Sequence, residues 1–176
     1  MNILNKTICY LAGNLENTSD AEGWRDRFSK KLSLLGVTPL DPTKKMFLDQ
    51  LEETEEVRKE LKEWRSTGQF DKLHSFMKEI IRRDLRAVDL TTFCIFKLEP
   101  SKPSYGTIHE LVVASQQRKP LLFLIDDIKQ MPLWLVGLIN MNYVFQNEDD
   151  LFNYLNSVNN GEISLDTKYW KILSDG

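Results

Sequence analysis

The sequence has few cysteines and histidines and no long apolar run, and each of these features excludes one class of protein. Its two cysteines, Cys9 and Cys94, each lie inside a short apolar run, so we expect two core thiols rather than a disulfide. No set of Cys and His residues has the spacing of a metal site. No apolar run approaches the ~20 residues that cross a bilayer, and the amino-terminal segment lacks the apolar stretch of a signal peptide. A cytosolic protein with no metal and no membrane partner is therefore expected.

An excess of charge of one sign is also lacking, since 23 Lys and Arg residues against 26 Asp and Glu residues give a net charge of −3. The basic residues are scattered, so there is no basic stripe of the kind that binds nucleic acid or a membrane surface. A small molecule is the expected partner. The length of 176 residues and the hydrophobic content of 41% favour one domain over residues 1–176.

Short apolar runs that alternate with helical segments predict a parallel α/β sheet. Three of the runs are continuous rather than alternating, which is typical of strands buried on both faces, and two are weaker. In chain order the runs are Thr7–Ala12, Val37–Leu40, Asp89–Phe96, Pro120–Ile125 and Tyr143–Phe145. The expected fold is a three-layer, Rossmann- or flavodoxin-like domain, with a mostly parallel sheet of about five strands and helices on both faces.

Four segments with helical periodicity separate these runs. They are Ala21–Leu35, the charged stretch 46–88, Gly106–Arg118 and Glu148–Val158. The charged stretch is interrupted near Ser66–Gly68 and is expected to form two helices, with residues 46–70 as a candidate lid or oligomer contact. The tail, residues 161–176, is expected to pack on the domain or on another subunit.

The loops at the carboxyl ends of the strands are where a parallel sheet binds its ligand. In this sequence they are Ala12–Thr18, Asp41–Lys45 and Leu98–Thr107. In the third loop, Pro103 and Gly106 constrain the chain, and Ser104 or Thr107 is expected to cap the following helix. Exposed amides at a helix start favour an anion. We therefore expect the chemistry at this edge.

The helical segment Phe76–Asp89 places a carboxylate on an apolar face. At about 100° per residue, Asp84 projects from the middle of an apolar stripe. The stripe consists of Met77, Ile80, Ile81, Leu85 and Val88. Arg82, Arg83 and Arg86 are expected on the opposite, solvated face. Because burying a carboxylate is costly, Asp84 is expected either to bond a backbone amide or an arginine, or to face a ligand cavity as a general acid.

Glu110 comes early in the helix that follows the third loop, where the helix dipole stabilises a carboxylate by about 0.3–1 kcal/mol. An ionised carboxylate at the mouth of a parallel sheet suits nucleophilic attack at an anomeric carbon. A simple helix charge is the alternative, because the periodicity puts Glu110 roughly opposite the face of Ile108, Leu111 and Val112. The adjacent His109 is expected to be a surface or capping residue.

Five pieces of the sequence resemble, in order, those of the nucleoside 2-deoxyribosyltransferase superfamily, which includes related nucleotide N-glycosidases. The pieces are YLAG (Tyr10–Gly13), GWR (Gly23–Arg25), LDPT (Leu40–Thr43), RDLRAVD (Arg83–Asp89) and PSYGTIHELVVA (Pro103–Ala114). They span roughly the first two thirds of the chain. Together they are specific for the superfamily, although not for one activity within it.

The resemblance implies a role for three residues. Glu110 matches the family nucleophile, which forms a covalent glycosyl-enzyme. Asp84 matches an aspartate that contacts the nucleobase and helps to protonate it, and Tyr10 matches a tyrosine that orients the nucleophile. The scheme requires no cofactor. Its small-molecule partners are a nucleoside or nucleotide and a free nucleobase. Because members of the family are commonly homo-oligomers, the resemblance also implies a dimer or larger assembly.

Further residues are expected to contact the substrate: Gly13, Asn14, Trp24, Asp41, Ser104 and Gly106. Ser104 departs from the pattern of transferases that prefer free nucleosides, which have an acidic residue six positions before the nucleophile. It resembles instead a serine that binds the 5′-phosphate in nucleoside monophosphate glycosidases. Three readings therefore stay open: a nucleoside 2-deoxyribosyltransferase, a nucleoside 5′-monophosphate N-glycosidase, and a non-catalytic nucleotide sensor.

Overall fold

Five parallel strands form one sheet in the order β2-β1-β3-β4-β5. The structure is a computed structural model that describes residues 2–14, 20, 23–44, 55–163 and 169–170. The strands are β1 (Ile8–Gly13), β2 (Thr38–Leu40), β3 (Phe93–Lys97), β4 (Leu121–Leu124) and β5 (Val144–Phe145). The predicted parallel α/β fold is confirmed. All five apolar runs contribute a strand.

Helices cover both faces of this sheet. They are α1 (Gly23–Leu34), α2 (Glu55–Ser66), α3 (Phe70–Leu90), α4 (Tyr105–Gln116), α5 (Leu133–Leu138) and α6 (Glu148–Asn160). Side chains of α1 and α6 form one core with one face of the strands. Side chains of α3, α4 and α5 form a second core with the other face. Within the part of the chain that the structure describes, no helix is long and apolar enough to span a membrane.

The two cysteines show how the strands divide between these cores. Cys9 and Cys94 are both fully buried and free, as the sequence predicted. Cys9 belongs to the α1/α6 core and Cys94 to the α3/α4 core. Tyr10, the residue after Cys9, consequently points toward α3 and α4, because successive side chains of a strand alternate between faces.

The end of β1 is paired on one side only. β2 pairs with β1 from Ile8 as far as Tyr10, where β2 ends at Leu40. β3 continues alongside β1 to Gly13. The last three residues of β1 therefore project past β2 at the carboxyl edge of the sheet.

One strand boundary needs correction, one helix was not expected, and one predicted segment lies partly outside the described residues. The third strand begins at Phe93 rather than Asp89, because α3 continues to Leu90 and ends in extended backbone at Thr91. α5 was not expected, since its six residues are too few to show a period. The charged stretch does form two helices, α2 and α3, but residues 45–54 of the candidate lid lie outside the described residues.

The described part of the tail packs on the domain. Trp170 is buried in the α1/α6 core, with its ring 5.4 Å from that of Phe93. The Tyr169 hydroxyl donates to the carbonyl of Leu121 at 2.6 Å and accepts from its amide at 3.1 Å. This hydroxyl therefore satisfies both backbone groups at the start of β4, where β5 does not reach.

Candidate active site

A tyrosine and a glutamate from distant parts of the chain meet on the face of the sheet that α3 and α4 cover. The Tyr10 hydroxyl donates a hydrogen bond of 3.0 Å to Oε1 of Glu110. Tyr10 is fully buried on β1, and Glu110 is half-buried on α4. A bond from a buried, rigid phenol fixes the orientation of the carboxylate, since both residues lie on regular elements.

The start of α4 explains how Glu110 reaches Tyr10. Ser104 is the N-cap, and its side chain accepts a bond from the Thr107 amide at 3.4 Å. The inward face of α4 is then Thr107, Leu111 and Ala114, and Glu110 borders it. The apolar face that the sequence predicted is therefore only partly correct, because Leu111 is buried and Ile108 packs on the core, but the most buried face also includes Thr107 and Ala114. Glu110 lies in the second turn, where the helix dipole stabilises a carboxylate only weakly. The Tyr10 hydroxyl binds this carboxylate directly.

Tyr10 is held in its protonated form. Burial is the main cause that raises the pKa of Tyr10 well above its usual value. The negative charges of Glu110 and Asp84 and the bond to Glu110 raise this pKa further, whereas Arg25 lowers it. The phenol therefore remains a hydrogen-bond donor at neutral pH. Asp84 lies on the same side of the sheet as Glu110, because α3 and α4 both pack on the face that carries the Tyr10 side chain.

Asp84 is half-buried on α3 and has an arginine beside it. Its Oδ1 lies 3.3 Å from Nε of Arg83, and the two side chains are 18% and 16% exposed. Arg83 is therefore not on the solvated face, which corrects the expectation for that residue. The stripe around Asp84 is also less buried than expected, since Met77 and Ile81 are exposed. The expected bond to an arginine is observed, and the negative charge of Asp84 contributes to the raised pKa of Tyr10.

Gly13 and Asn14 fix the end of β1. A Cβ atom at Gly13 would lie 3.0 Å from the carbonyl oxygen of Lys97, so a larger residue would push β3 away. The Asn14 side chain donates to the carbonyl of Lys102 in the loop that leads to α4. The two residues thus tie the loop after β1 to the loop after β3.

Trp24 and Asp41 lie in the interior. Trp24 is 2% exposed in the α1/α6 core, on the face of the sheet opposite the Tyr10 side chain. Asp41 is 5% exposed and accepts from the Thr43 amide at 2.9 Å and from its hydroxyl at 2.7 Å. Among the described residues, Oδ2 of Asp41 has no hydrogen-bond partner. The structure does not bring these two side chains to Tyr10 and Glu110.

Ser104 lines a small cavity, and Gly106 does not. The cavity, of about 20 Å³, is lined in part by Asn14, Ser104 and Thr107, one helical turn before Glu110. Gly106 is exposed, and a Cβ there would come no closer than 3.9 Å to Ser104. The cavity has a mostly apolar lining and room for about one water molecule, so it is not itself a site for an anion.

A larger cavity, of about 470 Å³, lies at the ends of β3, β4 and β5 beside α1 and α6. None of the candidate residues lines it. Two of its cations are already paired, Arg27 with Glu148 at 2.8 Å and Lys31 with Asp149 at 2.6 Å. Within the described ranges, no cluster of His, Cys, Asp and Glu side chains could hold a metal ion.

Sequence reasoning missed the position of Arg25. Its side chain is fully buried, and it donates to the carbonyls of Leu11 and Gly13. A signal was present, because Arg25, Phe28 and Leu32 are spaced three and four residues apart and so share one helix face. A basic residue on an apolar face must find buried acceptors, and the end of β1 provides them.

Comparisons with known proteins identify the family and the fold. The family model described as nucleoside 2-deoxyribosyltransferase matches residues 9–155. The structure is similar to that of a 2-deoxyribosyltransferase from Bacillus psychrosaccharolyticus, with a TM-score of 0.57 and 17% identity over 84% of this chain and 91% of that chain. A conserved protein from Enterococcus faecalis gives a TM-score of 0.59 and 16% identity over 86% and 98%.

A third solved structure, the CMP N-glycosidase of Clostridium botulinum, gives a TM-score of 0.49 and 15% identity over 86% of this chain and 99% of that chain. No curated protein matches the chain. The first two structures, at identities this low, show a shared fold and no more. The family match, however, covers most of the chain and extends beyond the five pieces that carry the resemblance. The chain therefore belongs to the nucleoside 2-deoxyribosyltransferase family.

Proposed function

We propose that this protein is a nucleoside 2-deoxyribosyltransferase in which Glu110 is the nucleophile. The observation that supports this most directly is the bond from the Tyr10 hydroxyl to Glu110 Oε1. It holds a carboxylate at the carboxyl edge of a parallel sheet, which is where such folds bind their ligands. Asp84, on the neighbouring helix, supplies the second acidic group that glycosidic bond cleavage commonly uses.

In the first step of the proposed reaction, an oxygen of Glu110 forms a bond to C1′ of the sugar as the bond from C1′ to the base nitrogen breaks. The base nitrogen takes up a proton from a group beside Asp84, so the base leaves in neutral form. Asp84 contacts the base, and its neighbour Arg83 keeps the aspartate side chain in place. Tyr10 keeps the attacking carboxylate oriented and stabilises its charge before the attack.

In the second step, a nitrogen of a second base attacks C1′ from the opposite face and displaces the Glu110 carboxylate, and the proton that this nitrogen loses returns to the group beside Asp84. Water can take the place of that base, which gives hydrolysis. Two successive displacements at one carbon retain its configuration. The scheme requires no metal or organic cofactor, since the carboxylate itself is the nucleophile.

Base exchange tests the proposal. The protein is incubated with a deoxynucleoside and a different free base, and the new nucleoside is measured by chromatography. We expect exchange with the parent and at least a thousandfold slower exchange, on the order of the loss of a nucleophile, with Glu110→Gln. Glu79→Gln, the same change at an exposed glutamate of α3, is the matched control and should exchange at the parental rate. Equal rates for Glu110→Gln and the parent would refute the assignment.

A nucleoside 5′-monophosphate N-glycosidase is the second candidate. Ser104 favours it, because this residue caps the start of α4 and the resemblance matches it to a serine that binds a 5′-phosphate. The amides at the start of a helix suit a phosphate. Comparison of a nucleoside with its 5′-monophosphate decides between the candidates. Thermal stabilisation by either ligand without release of base would favour the third reading, a nucleotide sensor.

A further inference from the structure

The backbone carbonyls at the projecting end of β1 need hydrogen-bond donors that β2 does not supply. Past Tyr10 the strand has β3 on one side and no β2 on the other. Carbonyls two residues apart in a strand point the same way, so those of Leu11 and Gly13 form a pair. Both residues are buried, and a buried carbonyl without a donor is costly.

The side chain of Arg25 supplies these donors. Its Nε donates to the carbonyl of Leu11 at 3.1 Å, and its Nη2 donates to that of Gly13 at 2.7 Å. The planar guanidinium has donors at fixed positions, so it can bond both carbonyls at once. Arg25 thus takes the place of the missing strand over this part of β1.

The charge of Arg25 is balanced nearby. Oδ1 of Asp41 lies 3.7 Å from its Nε, and the ring of Trp24 lies 4.9 Å from its Cζ. Asp41 is itself fixed by the amide and hydroxyl of Thr43. Buried ion pairs contribute little net stability, because desolvation offsets the attraction. The effect of this pair is therefore expected mainly on geometry.

The segment that Arg25 holds connects the two halves of the proposed site. Tyr10, which bonds Glu110, comes directly before Leu11. Asn14, which bonds the carbonyl of Lys102 in the loop before α4, comes directly after Gly13. A shift of this strand end would move both contacts together. Misplacement by about 1 Å can cost an enzyme roughly a hundredfold in rate.

We propose that Arg25 is a positioning residue, whose guanidinium holds the one-sided end of β1 directly after Tyr10, the residue that bonds Glu110. Its kinetic consequence rests on the proposed function, but its effect on the position of Tyr10 does not. The charge-preserving variant Arg25→Lys separates geometry from charge, because one ammonium group cannot reproduce the two-donor fork. Arg27→Lys is the matched control, since Arg27 lies on the same helix and makes exposed ion pairs.

The first measurement needs no activity. Carbon-13 NMR of tyrosine labelled at Cζ reports the hydrogen bond of each phenol, and Tyr10→Phe identifies the Tyr10 signal. We expect Arg25→Lys to shift the Tyr10 signal in the direction that Glu110→Gln shifts it. The Tyr154 and Tyr169 signals, and all signals in Arg27→Lys, should stay at their parental positions.

The second measurement is base exchange. Arg25→Lys should lower kcat by about tenfold or more and change KM by less than about threefold, because the variant displaces the nucleophile rather than the substrate. A shifted Tyr10 signal in a protein whose parent releases no base would support the positioning role and refute the proposed function. A folded Arg25→Lys with a parental Tyr10 signal and parental kcat would overturn the positioning role.

A second variant, Arg25→Gln, tests the same role in case Arg25→Lys does not fold. Arg25→Gln is neutral and can still donate to one carbonyl, and it should also shift the Tyr10 signal. If neither variant folds, the guanidinium is a requirement for folding and the positioning role is overturned.

Discussion

Tyr10 and Glu110 are 100 positions apart in sequence, yet they share a hydrogen bond of 3.0 Å. The strand order explains this contact. From β1 the chain moves to one side to form β2, and it then returns to the other side to form β3. The loops after β1 and β3 consequently border one crevice, which is the switch point where open α/β sheets bind ligands. Tyr10 comes from the strand before one of these loops, and Glu110 comes from the helix after the other.

Removing the Tyr10 hydroxyl should weaken catalysis more than folding. A hydrogen bond to a charged group is worth about 1.5–3 kcal/mol, so Tyr10→Phe should lower kcat by about tenfold to a hundredfold with little change in KM. Steady-state base exchange measures both constants. Tyr105→Phe removes a hydroxyl from a side chain that is 93% exposed and should keep parental kinetics. A parental kcat in Tyr10→Phe would show that the bond has no role in the reaction.

The sequence was sufficient to predict the strands and the family, because buried parallel strands leave continuous apolar runs. The faces of single residues were harder to predict. α4 is buried over a wide arc, so its apolar pattern placed Glu110 on the wrong side. Arg25 and Arg83 were missed as interior residues because arginines usually face solvent. The burial of Arg25 depends on acceptors that the fold brings together, the carbonyls of Leu11 and Gly13.

Ser104→Asp should separate the two candidate substrates. Aspartate is as good an N-cap as serine, so α4 should keep its stability, whereas Ser104→Ala should lose about 1 kcal/mol. The added negative charge should repel a 5′-phosphate. We expect the preference for a nucleoside over its 5′-monophosphate, measured as a ratio of kcat/KM, to rise about tenfold or more in Ser104→Asp. An unchanged ratio would place the phosphate away from Ser104.

Two glycines near the site should respond in opposite ways to alanine. Gly13→Ala puts a Cβ 3.0 Å from the backbone carbonyl of Lys97 and should lower the free energy of unfolding by about 1–3 kcal/mol. Gly106→Ala meets nothing closer than 3.9 Å, and alanine should stabilise α4 by up to about 1 kcal/mol. Denaturant titration measures both. A tolerated Gly13→Ala would contradict the tight contact between β1 and β3.

The buried thiol of Cys94 should make stability fall at alkaline pH. Burial raises the pKa of Cys94 from 9.0 to about 12, so the native state holds this proton more tightly than the unfolded state. The stability that this difference provides is complete below about pH 9 and is lost as the pH rises toward 12. Cys94→Ala should therefore reduce the slope of unfolding free energy against pH in that range, by up to about 1.4 kcal/mol per pH unit.

Ile95→Val is the control for this prediction, because it removes a buried methylene group without removing a titrating group. Its slope should equal that of the parent. Identical slopes in Cys94→Ala and the parent would show that the thiol does not titrate differently in the native state.

Detection of a sugar attached to Glu110 tests the central claim most directly. The parent is mixed with a deoxynucleoside, quenched in acid, digested and analysed by mass spectrometry. The expected result is a deoxyribosyl adduct on the peptide that contains Glu110, absent in Glu110→Gln and retained in Glu79→Gln. Release of base by Glu110→Gln at the parental rate, or an adduct on another residue, would contradict the account.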